Sequence, residues 1–378
     1  MDIYAELGVT PIINAAGTLT ALGGSLMPRE VLEAMESAAG AFVDLNELHL
    51  AAGERIAQLV GVEAAHVSAC GAAGIAVAAA ACMAGTDPAK ATQLPHTRGM
   101  RHKFVVQYSQ RNSFDQALRQ SGGEIVAVEA DVGEVRRALA SPEVAAAYCT
   151  LAWSCMGPAL PVAEIADLAH AEGVPCVVDA AAEVPPLGNL RRFLDEGADL
   201  VIFSGGKAIR GPQSSGLILG RRDLIEACRA NNCPNSSIGR PMKTSKEDIA
   251  GLVKAVELYV RRDHAADMAL WEQRVAHVIE ALSGLPRLRA WRQMPYGVGQ
   301  LLPHAAIAWE ESALGLTYRE AVQHLRDGRP RVAVQFYDPA SFAWSVFKER
   351  HLRVMPHMLE EGEERVVARR LREVLAGG

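Results

Sequence analysis

A chain of 378 residues is long enough for one large domain and a smaller one, and 49% apolar with 22% charged residues is the balance of an ordinary globular protein. The net charge of −6 comes with no clustered Lys/Arg stripe, which argues against nucleic acid or an anionic membrane as the main partner. The seven cysteines form no CxxC pair and have no His pair at zinc-ligand spacing, so a reduced, cytoplasmic protein without a metal is expected.

The opening residues, MDIYAELGVTPIINAAG, show no basic stretch followed by an apolar one, so no signal peptide is expected. Residues 1–30 read as an N-terminal arm, irregular through INAAGTLTALGG, that leads into a helix at MPREVLEAMESAAGAF. Residues 44–60 continue as helix. Ala69 to Thr86 has no charge and is about as long as a membrane span. Its Ala and Gly content predicts instead a buried helix packed through small residues.

From about 66 to 230 short apolar runs alternate with amphipathic ones. Strands are predicted at 103–107, 124–129, 145–150, 175–180, 199–204 and 216–220, with helices between them such as 163–173. This alternation predicts an α/β fold with a mostly parallel central sheet and helices on both faces. Residues 236–262 read as a loop and then a long helix. Residues 270–378 alternate strand-like runs (HAAIAWE, RVAVQFY, HLRVMP) with helical ones, as in a smaller α+β domain. The expected division is an arm at 1–30, a large domain at 31–255 and a small C-terminal domain at 256–378.

Three stretches carry candidate chemistry. FSGGKAIRGPQSSG places Lys207 just past a predicted strand, between glycines and a second Gly-rich turn. A loop lysine on the surface needs no such setting, whereas a Schiff-base lysine needs shielding from water and a backbone that approaches a flat ring closely. VPCVVDAAAEVPP puts Asp179 at the end of a hydrophobic strand. It reads as a helix cap or as the carboxylate partner of a pyridinium nitrogen. Open α/β sheets bind ligands at that end of their strands, and Ala180, Ala181 and Ala182 are small enough to pack flat under a ring. SACGAAG (68–74) opens the Ala-rich helix, where backbone amides and the helix dipole favour an anion. A dinucleotide fingerprint is absent, since CGAAG lacks the GxGxxG spacing, and no GK[ST] follows as in a P-loop.

Together these stretches resemble the aspartate-aminotransferase-like (fold type I) superfamily of pyridoxal 5′-phosphate enzymes. More narrowly they resemble the selenocysteine synthase-like branch that includes D-glucosaminate-6-phosphate ammonia-lyase. The resemblance rests on INAAGTLTALGG, CGAAG, QRNSFDQALRQSGGEIVAV, VVDAAAEVPP, GADLVIFSGGKAIRGPQSSGLILGR and IGRPMKTSKEDIAGLVKAVE. It covers residues 10–260 well and the remainder, to about 375, more weakly. It implies Lys207 as the imine-forming catalytic lysine, Asp179 on the pyridine nitrogen, Ala181 beneath the ring, and Gly71, Ala72, Ala73 and Ser204 around the phosphate. It also implies a homodimer or larger symmetric assembly, with Gln213, Ser214 and Ser215 reaching a neighbour's cofactor.

In the family a block resembling GHRNAYD carries a His that stacks on the ring. Here the block is SQRNSFD, so the stacking position falls on Gln110, and the Tyr becomes Phe114. A flat amide can lie on a ring but cannot serve as acid or base. His102, eight residues upstream, does not replace it. Arginines are natural clamps for a carboxylate or phosphate, and the candidates are Arg111, Arg210, Arg240 and Arg331. Lys243 is a further candidate for a substrate anion, and Thr18 and Thr20 for the substrate side of the pocket. Cys70, His66 and His170 read as structural.

The expected function is that of a pyridoxal-phosphate enzyme acting on an amino acid or amino-sugar acid, a small-molecule amino substrate, through an external aldimine and an α-carbanion. The resemblance favours α,β-elimination by an ammonia-lyase or deaminase. Aminotransferase, racemase, aldolase and selenocysteine synthase-like transferase remain alternatives, as does a non-catalytic homologue that binds the cofactor.

Overall fold

The computed structural model describes residues 3–152, 155, 157–295, 299–342, 344 and 347–377. It divides into two compact units. The larger comprises Ser25–Arg262 with Val298–Gln300, and the smaller Met1–Gly24, Asp263–Gly297 and Leu301–Gly378.

The larger unit is built on seven strands: β1 (Ala64–Ser68), β2 (Lys103–Gln107), β3 (Glu124–Val128), β4 (Val144–Thr150), β5 (Cys176–Asp179), β6 (Leu200–Ser204) and β7 (Gly216–Gly220). Their spatial order is β1-β7-β6-β5-β4-β2-β3. Only β7 runs against its neighbours. The carboxyl ends of β1, β2, β4, β5 and β6 therefore emerge along one edge of the sheet. Thr150, Asp179 and Ile202 sit in register across three of these strands.

Burial on both faces explains the near-continuous apolar runs. Successive residues point to opposite sides: Val201 and Phe203 join the core under the helices Leu45–Val60 and Lys246–Arg261, and Leu200 and Ile202 join the core under the helix Gly71–Ala84. Caps place the first two helices. Asp44 accepts from the N–H groups of Asn46 and Glu47, and Ser245 from that of Asp248. The Ala-rich helix Gly71–Ala84 is buried almost throughout, as expected. A Cβ on Gly74 would lie 2.9 Å from Ile202 Cγ2, so small residues let this helix settle onto the sheet. Among the described residues no helix is long and apolar enough to cross a membrane.

The smaller unit holds the antiparallel strands β8 (Leu288–Gln293), β9 (His304–Trp309), β10 (Gln335–Tyr337) and β11 (His351–Val354), in the order β10-β11-β9-β8. The helices His264–Leu282 and Glu363–Ala376 contribute Val275, Val278, Val367 and Leu371 to its core. The N-terminal arm is stitched into this unit, because Ile13 and Asn14 pair in parallel with Val332 and Ala333. RVAVQFY, expected as one strand, is thus split between that two-stranded ladder and β10. The long helix Lys246–Arg261 belongs wholly to the larger unit.

Candidate active site

Lys207 follows β6 in a turn and is half-buried. The glycines before it are there for lack of room. A Cβ on Gly205 would meet Ser215 Oγ at 2.1 Å, and one on Gly206 would meet Gln213 Cα at 2.6 Å. The lysine turn is therefore pressed against the segment Gly211–Ser215, and Gly205 N–H donates to the Ser215 carbonyl (2.9 Å). Ser215 is buried with its hydroxyl donated to the Pro212 carbonyl (2.6 Å), so it braces the turn and does not point outward as expected. Gln213 and Ser214 are exposed beside it.

Asp179 ends β5 and is buried, and its Oδ1 accepts the Ala181 N–H at 3.0 Å. Burial pushes its carboxyl pKa up. The Ala181 bond, the Lys207 charge and a hydrogen bond from the buried Tyr148 hydroxyl act in the opposite sense. Burial likewise lowers the pKa of Lys207, against the charges of Asp179 and Glu183. Glu183 was not singled out from the sequence. It is 1% exposed, both of its oxygens accept the Gly299 N–H (2.8 and 2.9 Å), and burial raises its pKa to about 7.

The phosphate-loop candidates come together from three strand ends. A Cβ on Gly71 would touch Ala181 Cβ at 3.3 Å and Ser204 Cβ at 3.8 Å. The helix that starts at Gly71 thus opens next to the residues following β5 and ending β6. One detail departs from expectation: the Ala73 N–H is already held by Cys70 Sγ at 3.3 Å, so Cys70 acts as the helix cap. Gly71 and Ala72 are left as the first-turn amides for an anion. Gln110 ends a 3₁₀ turn after β2. It is buried, and its Oε1 has no partner among the described residues. A buried amide oxygen without a donor is costly in a dry interior and suits a site that takes a polar flat group.

The other candidates lie as follows. Arg210, in the left-handed conformation at φ 60°, donates Nε to the Leu26 carbonyl at 2.8 Å. Arg240 and Lys243 are exposed in the loop before the helix Lys246–Arg261. Arg111 is paired with Asp115. Thr18, Thr20 and Arg331 belong to the smaller unit. His102 stands at the amino end of β2, across the strand from Gln110, with its Nδ1 3.1 Å from the Met100 carbonyl. His66 bonds Asn232 and His170 bonds Asp199, both at 2.8 Å, which fits their structural reading. Among the described residues no group of His, Cys, Asp and Glu is placed to hold a metal.

Residues 159–280, which include Asp179 and Lys207, match the SelA family profile, L-seryl-tRNA selenium transferase. A D-glucosaminate-6-phosphate ammonia lyase from Salmonella typhimurium (strain 14028s / SGSC 2262) is 32% identical over 99% of this chain and 98% of its own. The chain belongs to the selenocysteine synthase-like, D-glucosaminate-6-phosphate ammonia-lyase family of fold type I. A solved structure of D-glucosaminate-6-phosphate ammonia-lyase matches with a TM-score of 0.84 at 30% identity, over 100% of this chain and 99% of that one. A second relative of this ammonia-lyase-like chain carries a different activity. It is a 5'-C-glycyluridine monooxygenase-decarboxylase from Streptomyces sp, 33% identical over 98% of this chain and 92% of its own.

Proposed function

We propose that this chain is a pyridoxal 5′-phosphate-dependent lyase that releases ammonia from an amino acid or amino-sugar acid by α,β-elimination. The observation that carries the reading is the meeting of Lys207, Asp179 and the Gly71–Ala181–Ser204 contact at one edge of the sheet. The residues fit the cofactor. Asp179 offers a carboxylate to a ring nitrogen, the amides of Gly71 and Ala72 with the Ser204 hydroxyl suit a phosphate, Ala73 and Ala181 would pack beside it, and Gln110 has a buried oxygen with no partner among the described residues. When bound, the cofactor supplies an electron-poor ring that stabilises negative charge at the substrate's α-carbon.

The chain's own residues do the rest. Lys207 Nζ takes the proton from the α-carbon, and burial helps by keeping its amine form within reach. Asp179 would face the ring nitrogen; burial raises its pKa, and the Ala181 N–H, the Lys207 charge and the Tyr148 hydroxyl oppose that rise. Gln110 would hold the ring without exchanging protons with it. Arg210, Gln213, Arg240 and Lys243, with Thr18 and Thr20, are the proposed substrate contacts. The proposed assembly is a homodimer or larger symmetric oligomer. It is supported by Leu26, Leu32, Phe42, Val43 and Leu50, which leave apolar side chains exposed along one stretch. None of the seven cysteines forms a disulfide, which supports the proposed reduced, cytoplasmic setting.

Oxidative decarboxylation is the second reading, favoured by the full-length relative of that activity. One experiment separates the two. The protein loaded with pyridoxal phosphate is followed by visible absorbance, as wild type and as Lys207→Ala, against D- and L-amino acids and amino-sugar acids. Ammonia and keto acid release supports the lyase. Carbon dioxide release with oxygen uptake selects the second reading, and a spectral change with neither product moves the assignment to transamination or racemisation. A wild type that forms no cofactor band overturns the enzyme reading.

A further inference from the structure

Glu183 lies four residues after Asp179, on the turn leaving β5, and no role has been assigned to it so far. It is almost fully buried, yet among the described residues its carboxylate receives one N–H, that of Gly299, shared between both oxygens. A carboxylate can accept about four hydrogen bonds, and a buried one is costly unless a positive charge stands near. Among the described residues the charged groups that act on it are Asp179 at the end of β5, Lys207 on the turn after β6 and Arg192 on the helix Asn189–Asp195. Arg192 is exposed and paired with Glu196 at 2.7 Å, so its charge is screened and shared. Asp179 is of like sign. Lys207, half-buried in its turn, is the less exposed of the two cations.

We propose that Glu183 is a positioning residue that sets the protonation of the Lys207 nitrogen, as the second buried carboxyl of the lysine site. The inference rests on the cofactor reading above in one respect. Once Asp179 is matched by a protonated ring nitrogen, its charge is neutralised there, and Glu183 is left to balance Lys207. Glu183 ionises when the lysine nitrogen carries its proton, and takes up a proton when the nitrogen loses it. Burial favours the neutral form of each partner, which brings both titrations toward neutral pH. Gly299 fixes where the charge sits, since its N–H holds both carboxyl oxygens. Gln300, next in the chain, donates Nε2 to the Val184 carbonyl at 3.2 Å and pins the same segment.

The test compares wild type, Glu183→Gln and Glu183→Asp. Gln keeps an oxygen for the Gly299 N–H and removes the charge, whereas Asp keeps the charge. In cofactor-loaded protein, the pH midpoint of the visible band reports the Lys207 nitrogen. In cofactor-free protein, NMR of 13C-labelled lysine reports it directly, with the signal assigned by its loss in Lys207→Ala. Glu183→Gln should lower the Lys207 midpoint by about one pH unit, tenfold in proton affinity, in both forms. Glu183→Asp should largely restore it. An unchanged midpoint in Glu183→Gln overturns the proposal. A shift in the cofactor-free protein with no band in the loaded one upholds the coupling and sinks the cofactor reading instead. Should Glu183→Gln fail to fold, Lys207→Met decides. Loss of the lysine charge must raise the Glu183 midpoint, read by its labelled carboxyl carbon, and a midpoint left in place overturns the proposal.

Discussion

Gly206→Ala tests whether the lysine turn is held by its neighbour or only lies near it. The added Cβ would stand 2.6 Å from Gln213 Cα and 3.3 Å from the carbonyl oxygens of Gln213 and Pro212. Carbon atoms in good contact sit about 3.5–4.0 Å apart, so the overlap is about 1 Å and falls on backbone rather than on a side chain that can turn away. Overpacking of this kind costs about 1–3 kcal/mol, which is about a 5- to 150-fold change in the folded ratio. The strain lands on the residue before Lys207. A lower urea midpoint and slower uptake of pyridoxal phosphate are therefore expected together. Gly188→Ala is the control, because nothing lies within 4 Å of its added Cβ and its φ of −56° suits alanine. It should leave stability unchanged or raise it by about 0.4–1 kcal/mol. Equal midpoints and equal uptake in wild type and Gly206→Ala would refute the claim that Gln213 shapes the lysine turn.

Burial that lifts Glu183 from an ordinary 4.5 to about 7 makes the folded state bind the extra proton, so stability is fullest below pH 4.5 and falls as pH rises toward 7, by up to about 3 kcal/mol. Urea titrations of Glu183→Gln should show that slope flattened. His49 works in the opposite direction. Its pKa is lowered to about 4 by burial first and Arg229 second, and neither ring nitrogen has a hydrogen-bond partner among the described residues, so its share of stability is present above pH 6.5 and lost as pH falls toward 4. His49→Phe should remove that acid sensitivity, and an unchanged melting profile between pH 4 and 6.5 would contradict it. Phe42 is fully exposed, so Phe42→Glu should shift sedimentation toward monomer with the fold intact by circular dichroism. An unchanged sedimentation coefficient at all protein concentrations would count against an interface there.

How far the sequence carried depended on what each residue's role required. β2 and β7 were legible to the residue because each is a short apolar run bounded by polar or glycine positions. β1, AAHVS, was not, since a buried histidine and serine disguise it; His66 is affordable only because Asn232, 166 residues away, bonds its ring. β8, LRAWRQ, hides for the opposite reason, as a half-buried edge strand with charged outward residues. The helix Gly71–Ala84 was readable without an apolar stripe, because a helix buried all round needs none.

Lys207 and Asp179 stood out because the roles proposed for them impose local requirements: glycines where another backbone presses in, and an acid at the end of an apolar strand. Glu183 imposes none. In AAAEVPP it looks like any turn glutamate, and what makes it unusual is supplied from afar, by Gly299 116 residues later in the chain and by Lys207 across the strand ends. A residue whose chemistry comes from its surroundings leaves no local pattern. The same applies to Cys70. Its thiol holds an amide of the loop that was expected to receive an anion, so the proposed phosphate grip would rest on the amides of Gly71 and Ala72 and on the Ser204 side chain rather than on the full turn.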